Sequence, residues 1–162
     1  MNKAVSNTSP LLYLYRSGVI ELLGQLFDEV YVPNAVVQEL AEGRSRGYDV
    51  PSPTAYHWLT TVDPSYIPSE WFALDLGPGE LSAMSLALEN PSLTLLLDDA
   101  LARRIGNAAG LTVWGTLRVL LAAKESKLVP AISPILDQMA KSGMWMSSEI
   151  RTRILNLANE SA

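Results

Sequence analysis

The chain has 162 residues, long enough for one domain with a buried core. Its 12 Lys and Arg against 17 Asp and Glu give a net charge of −5, which argues against gripping nucleic acid by bulk positive charge. The absence of cysteine excludes a disulfide scaffold, a thiolate nucleophile and Cys-based metal sites, and a single histidine excludes the two-His motifs of zinc proteases.

Carboxylates and hydroxyls are therefore the expected carriers of any chemistry. The 48% hydrophobic content suits a folded globular chain. No apolar run approaches the roughly 20 residues that span a bilayer. The start, Met1 to Asn7, turns polar before a signal-like stretch develops, so a cytoplasmic location without membrane contact is expected.

In chain order, Lys3 to Ser6 reads as a short strand ended by the turn-forming Asn7-Thr8-Ser9-Pro10. Leu11 to Leu26 gives two short helical stretches broken at Gly18. Glu29 to Val32 is a second strand, stopped by Pro33, and Asn34 opens a helix through about Glu42 with Val36, Val37, Leu40 and Ala41 as its apolar stripe. Gly43 to Tyr56 reads as a long loop, and Trp58 to Val62 as a β-prone run. A helix begins near Gly79 and runs to about Leu88. The wholly apolar Thr94-Leu95-Leu96-Leu97 suits a strand covered on both faces, and it ends abruptly in Asp98-Asp99. Ala100 to Ala109 is helical, Leu111 to Trp114 a strand, Gly115-Thr116 a turn and Leu117 to Glu125 a helix. Ile132 to Ser142 and Ser147 to Asn159 give two more helices.

This strand–helix alternation predicts an α/β fold of three α/β/α layers around a mostly parallel sheet, with C-terminal helices. Residues 1–125 form the expected core and 126–162 a helical extension packed on the same domain. Ligands of such sheets bind beyond the carboxyl ends of the strands. Here those positions hold Asn7, Asp98-Asp99 and Gly115-Thr116, all but Gly115 polar.

Charge is unevenly spread. Gly47 to Ala102 contains eight acids and no Lys or Arg, which is either a solvated acidic face or a set of acids converging on a cation. Adjacent carboxylates after a buried strand repel each other and favour a cation or a proton. Asp99 alone is explained as a helix N-cap, but capping accounts for one Asp and not two. Glu80, in Gly77-Pro78-Gly79-Glu80, gains from a helix dipole, and Glu39 reads by itself as a surface residue.

Taken together the motifs are specific. Asn7-Thr8-Ser9-Pro10, then Val32-Pro33-Asn34 through Glu39-Leu40, then Leu76-Gly77-Pro78-Gly79-Glu80, then Leu97-Asp98-Asp99-Ala100, then Gly115-Thr116, resemble the PIN domain family, the VapC-like nuclease superfamily. The likeness is to a prokaryotic branch whose third acid stands in a Gly-x-Gly-Glu helix start, and it runs over residues 3–125. The resemblance implies an Mg²⁺- or Mn²⁺-dependent endoribonuclease that hydrolyses RNA phosphodiesters. By position it makes Glu39, Glu80 and Asp99 catalytic. It implies a metal set of Asn7, Glu39, Glu80, Asp98 and Asp99. Thr8, Thr116, Arg44, Arg46 and Arg103 are the supporting or substrate-binding residues. It extends to the toxin of a toxin–antitoxin pair, with a small antitoxin protein and a homodimer as partners. The family pattern has Asp where this chain has Asn7, and that departure supports the alternative of a non-catalytic RNA- or protein-binding module on the same fold.

Arg44, Arg46, Tyr48, Tyr56, His57 and Trp58 interleave basic and aromatic residues, which suits either an RNA clamp or a solvated loop with Trp58 in the core. Arg103-Arg104 can meet phosphates or pair with acids at helical spacing. No Gly-x-x-x-x-Gly-Lys-Ser/Thr loop exists, and Asp98-Asp99 lacks the Asp-x-Asp spacing of aspartyl-phosphate enzymes.

Overall fold

A computed structural model describes residues 1–161. Five strands, β1 (Lys3–Ser6), β2 (Glu29–Val32), β3 (Leu59–Thr61), β4 (Thr94–Leu96) and β5 (Thr112–Trp114), form one sheet in the order β3-β2-β1-β4-β5. Every neighbouring pair is parallel, so the sheet is wholly rather than mostly parallel. The helices are α1 (Thr8–Arg16), α2 (Glu21–Leu26), α3 (Asn34–Ser45), α4 (Pro78–Glu89), α5 (Ala100–Ala108), α6 (Thr116–Glu125), α7 (Ser133–Lys141) and α8 (Ser148–Leu157).

Side-chain alternation along the strands builds the three layers. Ala4, Val30, Val32 and Leu96 face a core completed by α1, α2, α6, α7 and α8, with Val36 and Leu40 from α3. Val5, Leu95 and Leu97 face the other core, against α4, Ala102 and Leu111. Strand β4 is therefore buried on both faces, as its uninterrupted apolar run predicts. The two C-terminal helices place Leu136, Met139, Ile154 and Leu155 in the same core as Leu11, Leu14 and Leu120. Strand order reverses direction at β1 and β4, which opens a crevice between their carboxyl ends.

Some boundaries differ from the sequence reading. Helix α3 continues through Ser45 into the expected loop, and single 3₁₀ turns form at Pro53–Ala55 and Ser69–Ala73. Trp58 precedes β3 rather than opening it: the indole is buried and its Nε1 donates to Glu21 Oε2 at 3.0 Å. The ring lies against Gly24 on α2, where an added Cβ would overlap Trp58 Cδ1. Gly24→Ala must displace a pinned ring from the core, and should cost about 1–3 kcal/mol. Thermal unfolding should register this as a drop of roughly 2–4 °C for each kcal/mol. An unchanged Tm would show that the ring is free to move.

Glu160 ties the end of the chain to the start of α7. Its carboxylate accepts from the N–H groups of Ile132 (2.8 Å) and Ser133 (3.1 Å) and from Lys124 Nζ (3.0 Å). Desolvation alone would raise its pKa, but those donors and the Lys124 charge together hold it below the ordinary glutamate value. A depressed carboxyl stabilises the fold above its unfolded pKa and loses that contribution as pH falls through the folded pKa. Glu160→Gln should therefore be less stable than the native chain at neutral pH, with the difference shrinking in acid. Urea melts at neutral and acid pH test this, and a constant difference would refute it.

Candidate metal centre

The crevice brings together residues from three elements and the ends of two strands. Asn7 follows β1 directly, with its backbone N–H donating to Leu96 O at 3.0 Å across the β1–β4 junction. Its side chain is 7% exposed, and Oδ1 is buried with no hydrogen-bond partner. A buried unsatisfied amide oxygen costs about 1–3 kcal/mol, and its acceptor capacity is free for a cation or a water.

Glu39 projects from the middle of α3 toward the first turn of α4. Its Oε1 accepts from the Gly79 N–H at 3.1 Å and its Oε2 from the Thr8 hydroxyl at 2.5 Å. A Cβ added at Gly79 would meet Glu39 Oε1 at 2.8 Å, Asn7 Oδ1 at 2.9 Å and Glu39 Oε2 at 3.0 Å. The missing side chain of Gly79 thus leaves the space in which the Asn7 and Glu39 oxygens converge. In Gly77-Pro78-Gly79-Glu80, Pro78 sits at the first helical position of α4, where its lack of an N–H costs nothing. Glu80 then falls at the third position and accepts from Gly77 N at 2.9 Å. Gly77 has no side chain to reciprocate, so only half of a capping box exists.

Burial pushes the Glu80 carboxyl upward, the Gly77 N–H opposes it, and the negative fields of Asp99, Glu39 and Asp75 raise it further. Glu39, Glu80 and Asp99 therefore share one electrostatic environment. Asp99 caps α5, its Oδ2 accepting from Ala102 N at 2.9 Å. Among the described residues no three Asp, Glu or His side chains already stand together as a set able to hold an ion. Glu80 and Asp99 are each held by a helix-start N–H instead.

Asp98 is placed differently from its neighbour. Its oxygens accept from the Thr116 backbone N–H and hydroxyl, both at 2.7 Å, and it lies beside Gly115 with Arg103 nearby. Burial raises its pKa, while the Thr116 bonds and the Arg103 charge pull the other way. Each carboxylate oxygen thus accepts one bond that fastens the end of β4 to the start of α6, and each keeps further acceptor capacity. Thr116 is brought to Asp98, and Thr8 to Glu39. Arg44 and Arg46 lie at the end of α3 remote from the strand carboxyl ends. There Arg44 donates to Pro51 O and Arg46 pairs with Glu42 at 2.7 Å. The Gly43–Tyr56 segment is also tied to α1, where Tyr15 and Arg16 donate to Asp49, and Trp58 lies in the core.

Sequence reasoning passed over Gly79 and Asp75. The Gly-x-Gly before Glu80 was the signal for Gly79, since a second glycine in a helix start implies a close approach. Asp75 is an exposed acid five residues before Glu80, and its charge acts on the Glu80 carboxyl.

A family model, DUF3368, described as PIN domain, matches residues 3–160. The chain belongs to the PIN domain family. PIN domains are generally nucleases and generally use divalent metals. Among solved structures, a PilT N-terminus domain protein from the archaeon Sulfolobus solfataricus P2 is similar, with a TM-score of 0.55 at 16% identity. The match covers 75% of this chain and 92% of that one, and it shows a common PIN-like fold. No curated protein matches this chain. Among the described residues of this PIN domain, no helix is long and apolar enough to cross a membrane.

The residues of the crevice fit a divalent cation. The donors are all hard oxygens, Asn7 Oδ1 is orphaned, and Gly79 keeps the adjacent space clear. Gly79→Ala should push the end of Glu39 aside with little loss of stability, because that carboxylate terminates a flexible side chain. Calorimetric titration with Mn²⁺ should then show affinity reduced on the order of tenfold, as for other disturbances just outside a metal's ligands. Unchanged affinity would argue that Glu39 binds no ion.

Proposed function

We propose that this PIN domain is an Mg²⁺- or Mn²⁺-dependent endoribonuclease hydrolysing RNA phosphodiesters, with Asn7, Glu39, Glu80, Asp98 and Asp99 as the cation ligands. The observation that carries this is the unpartnered Asn7 Oδ1 facing Glu39 across the side-chain-free Gly79. A bound divalent cation supplies a lowered pKa for water and offsets charge building on phosphorus. Thr8 holds the Glu39 carboxylate in its rotamer by hydrogen bond, and Gly79 N–H fixes its other oxygen. Asp98, bonded twice to Thr116, positions the β4 end that carries Asp99. Attack by water in line with the departing 3′ oxygen leaves a 5′ phosphate and a 3′ hydroxyl.

In its finer form the reading makes the chain the toxin of a toxin–antitoxin pair, a cytoplasmic homodimer blocked by a small antitoxin protein. The family resemblance is what supports that form, and a short partner gene beside this one is its first check.

Asn7 favours a second reading, a PIN-fold binding module that does not cut, because an amide ligates without adding negative charge. Mn²⁺ binding and RNA cleavage by the native chain, Glu39→Ala, Thr8→Val and Asn7→Asp separate the two. Glu39→Ala should abolish cleavage, and Thr8→Val should lower it roughly 10–100-fold through the loosened carboxylate. If Glu39→Ala cuts as well as the native chain, the site is wrong. If only Asn7→Asp cuts, the native protein is the binding module.

A further inference from the structure

A chain of net charge −5 needs a local positive surface to hold a polyanion. Most of its arginines are already engaged. Arg16 and Arg44 donate to the carbonyls of Asp49 and Pro51, and Arg46, Arg118 and Arg151 pair with Glu42, Glu125 and Asp137. Arg103, Arg104 and Arg153 have no such partner among the described residues, and they stand on α5 and α8. Arg103 and Arg153 line a single groove of about 610 Å³, and Arg118 lines it too.

One wall of that groove includes Asp98 and Ala100, the two chain neighbours of Asp99, so it adjoins the candidate metal centre. Asp98 is its only acid among the described residues, and both of its oxygens accept from Thr116. The other wall comes from residues 144–146 and α8. Met144 and Met146 pack against the core, while Trp145 between them is 84% exposed. An indole is thus held out into water by two anchored neighbours, with the exposed Ile150 and Leu157 also lining the groove.

We propose that this groove holds single-stranded RNA beside the phosphate that is cut, with Arg103 and Arg153 meeting backbone phosphates and Trp145 stacking on a base. The proposal rests on the ribonuclease reading above. An unpaired cation next to an exposed aromatic face is the combination that single strands use, since every base has a π-face and every linkage a charge. The size agrees: about 610 Å³ falls in the range of small-ligand sites and suits one or two nucleotides.

The test is anisotropy of a short labelled single-stranded RNA in EDTA, where binding is read without cleavage, on variants whose fold is checked by circular dichroism. Trp145→Ala should weaken binding about tenfold and Trp145→Phe should restore most of it. Arg153→Glu should weaken binding and flatten the slope of log K against log salt by roughly 0.7 or more. Arg46→Glu makes the same charge change on a residue paired with Glu42 and should bind like the native chain. If Arg46→Glu weakens binding as much as Arg153→Glu, bulk charge is responsible and the groove proposal is overturned. It is equally overturned if Trp145→Ala binds RNA normally, or if its only effect is to split a homodimer. Cleavage in Mn²⁺ separates the two readings. A native chain that binds through Trp145 and Arg153 but never cuts keeps the groove and loses the nuclease. One that cuts while both variants bind normally does the reverse.

Discussion

Asn7→Asp is expected to lower the Tm in EDTA and to raise Mn²⁺ affinity at least about tenfold, or 1.4 kcal/mol. The side chain is buried, and its Oδ1 faces Glu39 across Gly79. An aspartate there adds a fourth carboxylate beside Glu39, Glu80 and Asp99, in a place where burial already raises Glu80. Without a cation the new charge has no donor to compensate it, because the oxygen it replaces has none. It must either repel its neighbours or take up a proton, and both cost stability. With a cation present the same charge becomes a better ligand than the neutral amide. The two effects have opposite signs, so the Tm difference between EDTA and Mn²⁺ should widen in the variant. Differential scanning calorimetry in both buffers reads it directly. Equal Tm values for native and variant in both would remove Asn7 from the site.

Removing residues 126–162 is expected to leave a chain that does not fold. The extension contributes Ile132, Ile135, Leu136, Met139, Ile154 and Leu155 to the core shared with α1 and α6. Burying each such side chain is worth about 1.5–3 kcal/mol, so their summed loss approaches or exceeds the roughly 5–15 kcal/mol that holds a domain together. The truncated chain also exposes Leu11, Leu14 and Leu120, and Lys124 loses Glu160. Near-ultraviolet circular dichroism should show lost tertiary signal, where an independent core would keep a cooperative melt. Residues 126–162 are then part of the unit that carries the site rather than an addition to it.

The parallel sheet was legible because its determinants are local. Leu95-Leu96-Leu97 without a polar break implies a doubly covered strand, and Pro33 and Pro78 mark helix starts by lacking an N–H. The candidate acids were legible mainly as a pattern of motifs. Glu39 by itself looks like any half-exposed glutamate on an amphipathic helix, and only α3 packing beside α4 brings it to Gly79. Two pairs of residues illegible in the chain were separated by folding. Asp98 and Asp99 are adjacent, yet one fastens β4 to α6 and the other caps α5, since consecutive residues leaving a strand point to opposite sides. Arg46 and Arg153 are both surface arginines, yet one is neutralised by Glu42 a helical turn away and the other stands in a groove.

The sequence by itself determined which chemistry is open to this protein. With no cysteine, one histidine and a surplus of carboxylate, carboxylates and hydroxyls were what remained to carry any chemistry, and the strand–helix order put the candidates at one sheet edge. The tertiary structure decided what each of these oxygens meets. Asn7 Oδ1 is left without a donor, Thr8 and Gly79 hold the Glu39 carboxylate, Thr116 holds that of Asp98, and the space between Asn7 and Glu39 is kept open by Gly79. Such matters depend on distances of about 3 Å between residues far apart in the chain, and composition carries no information about them.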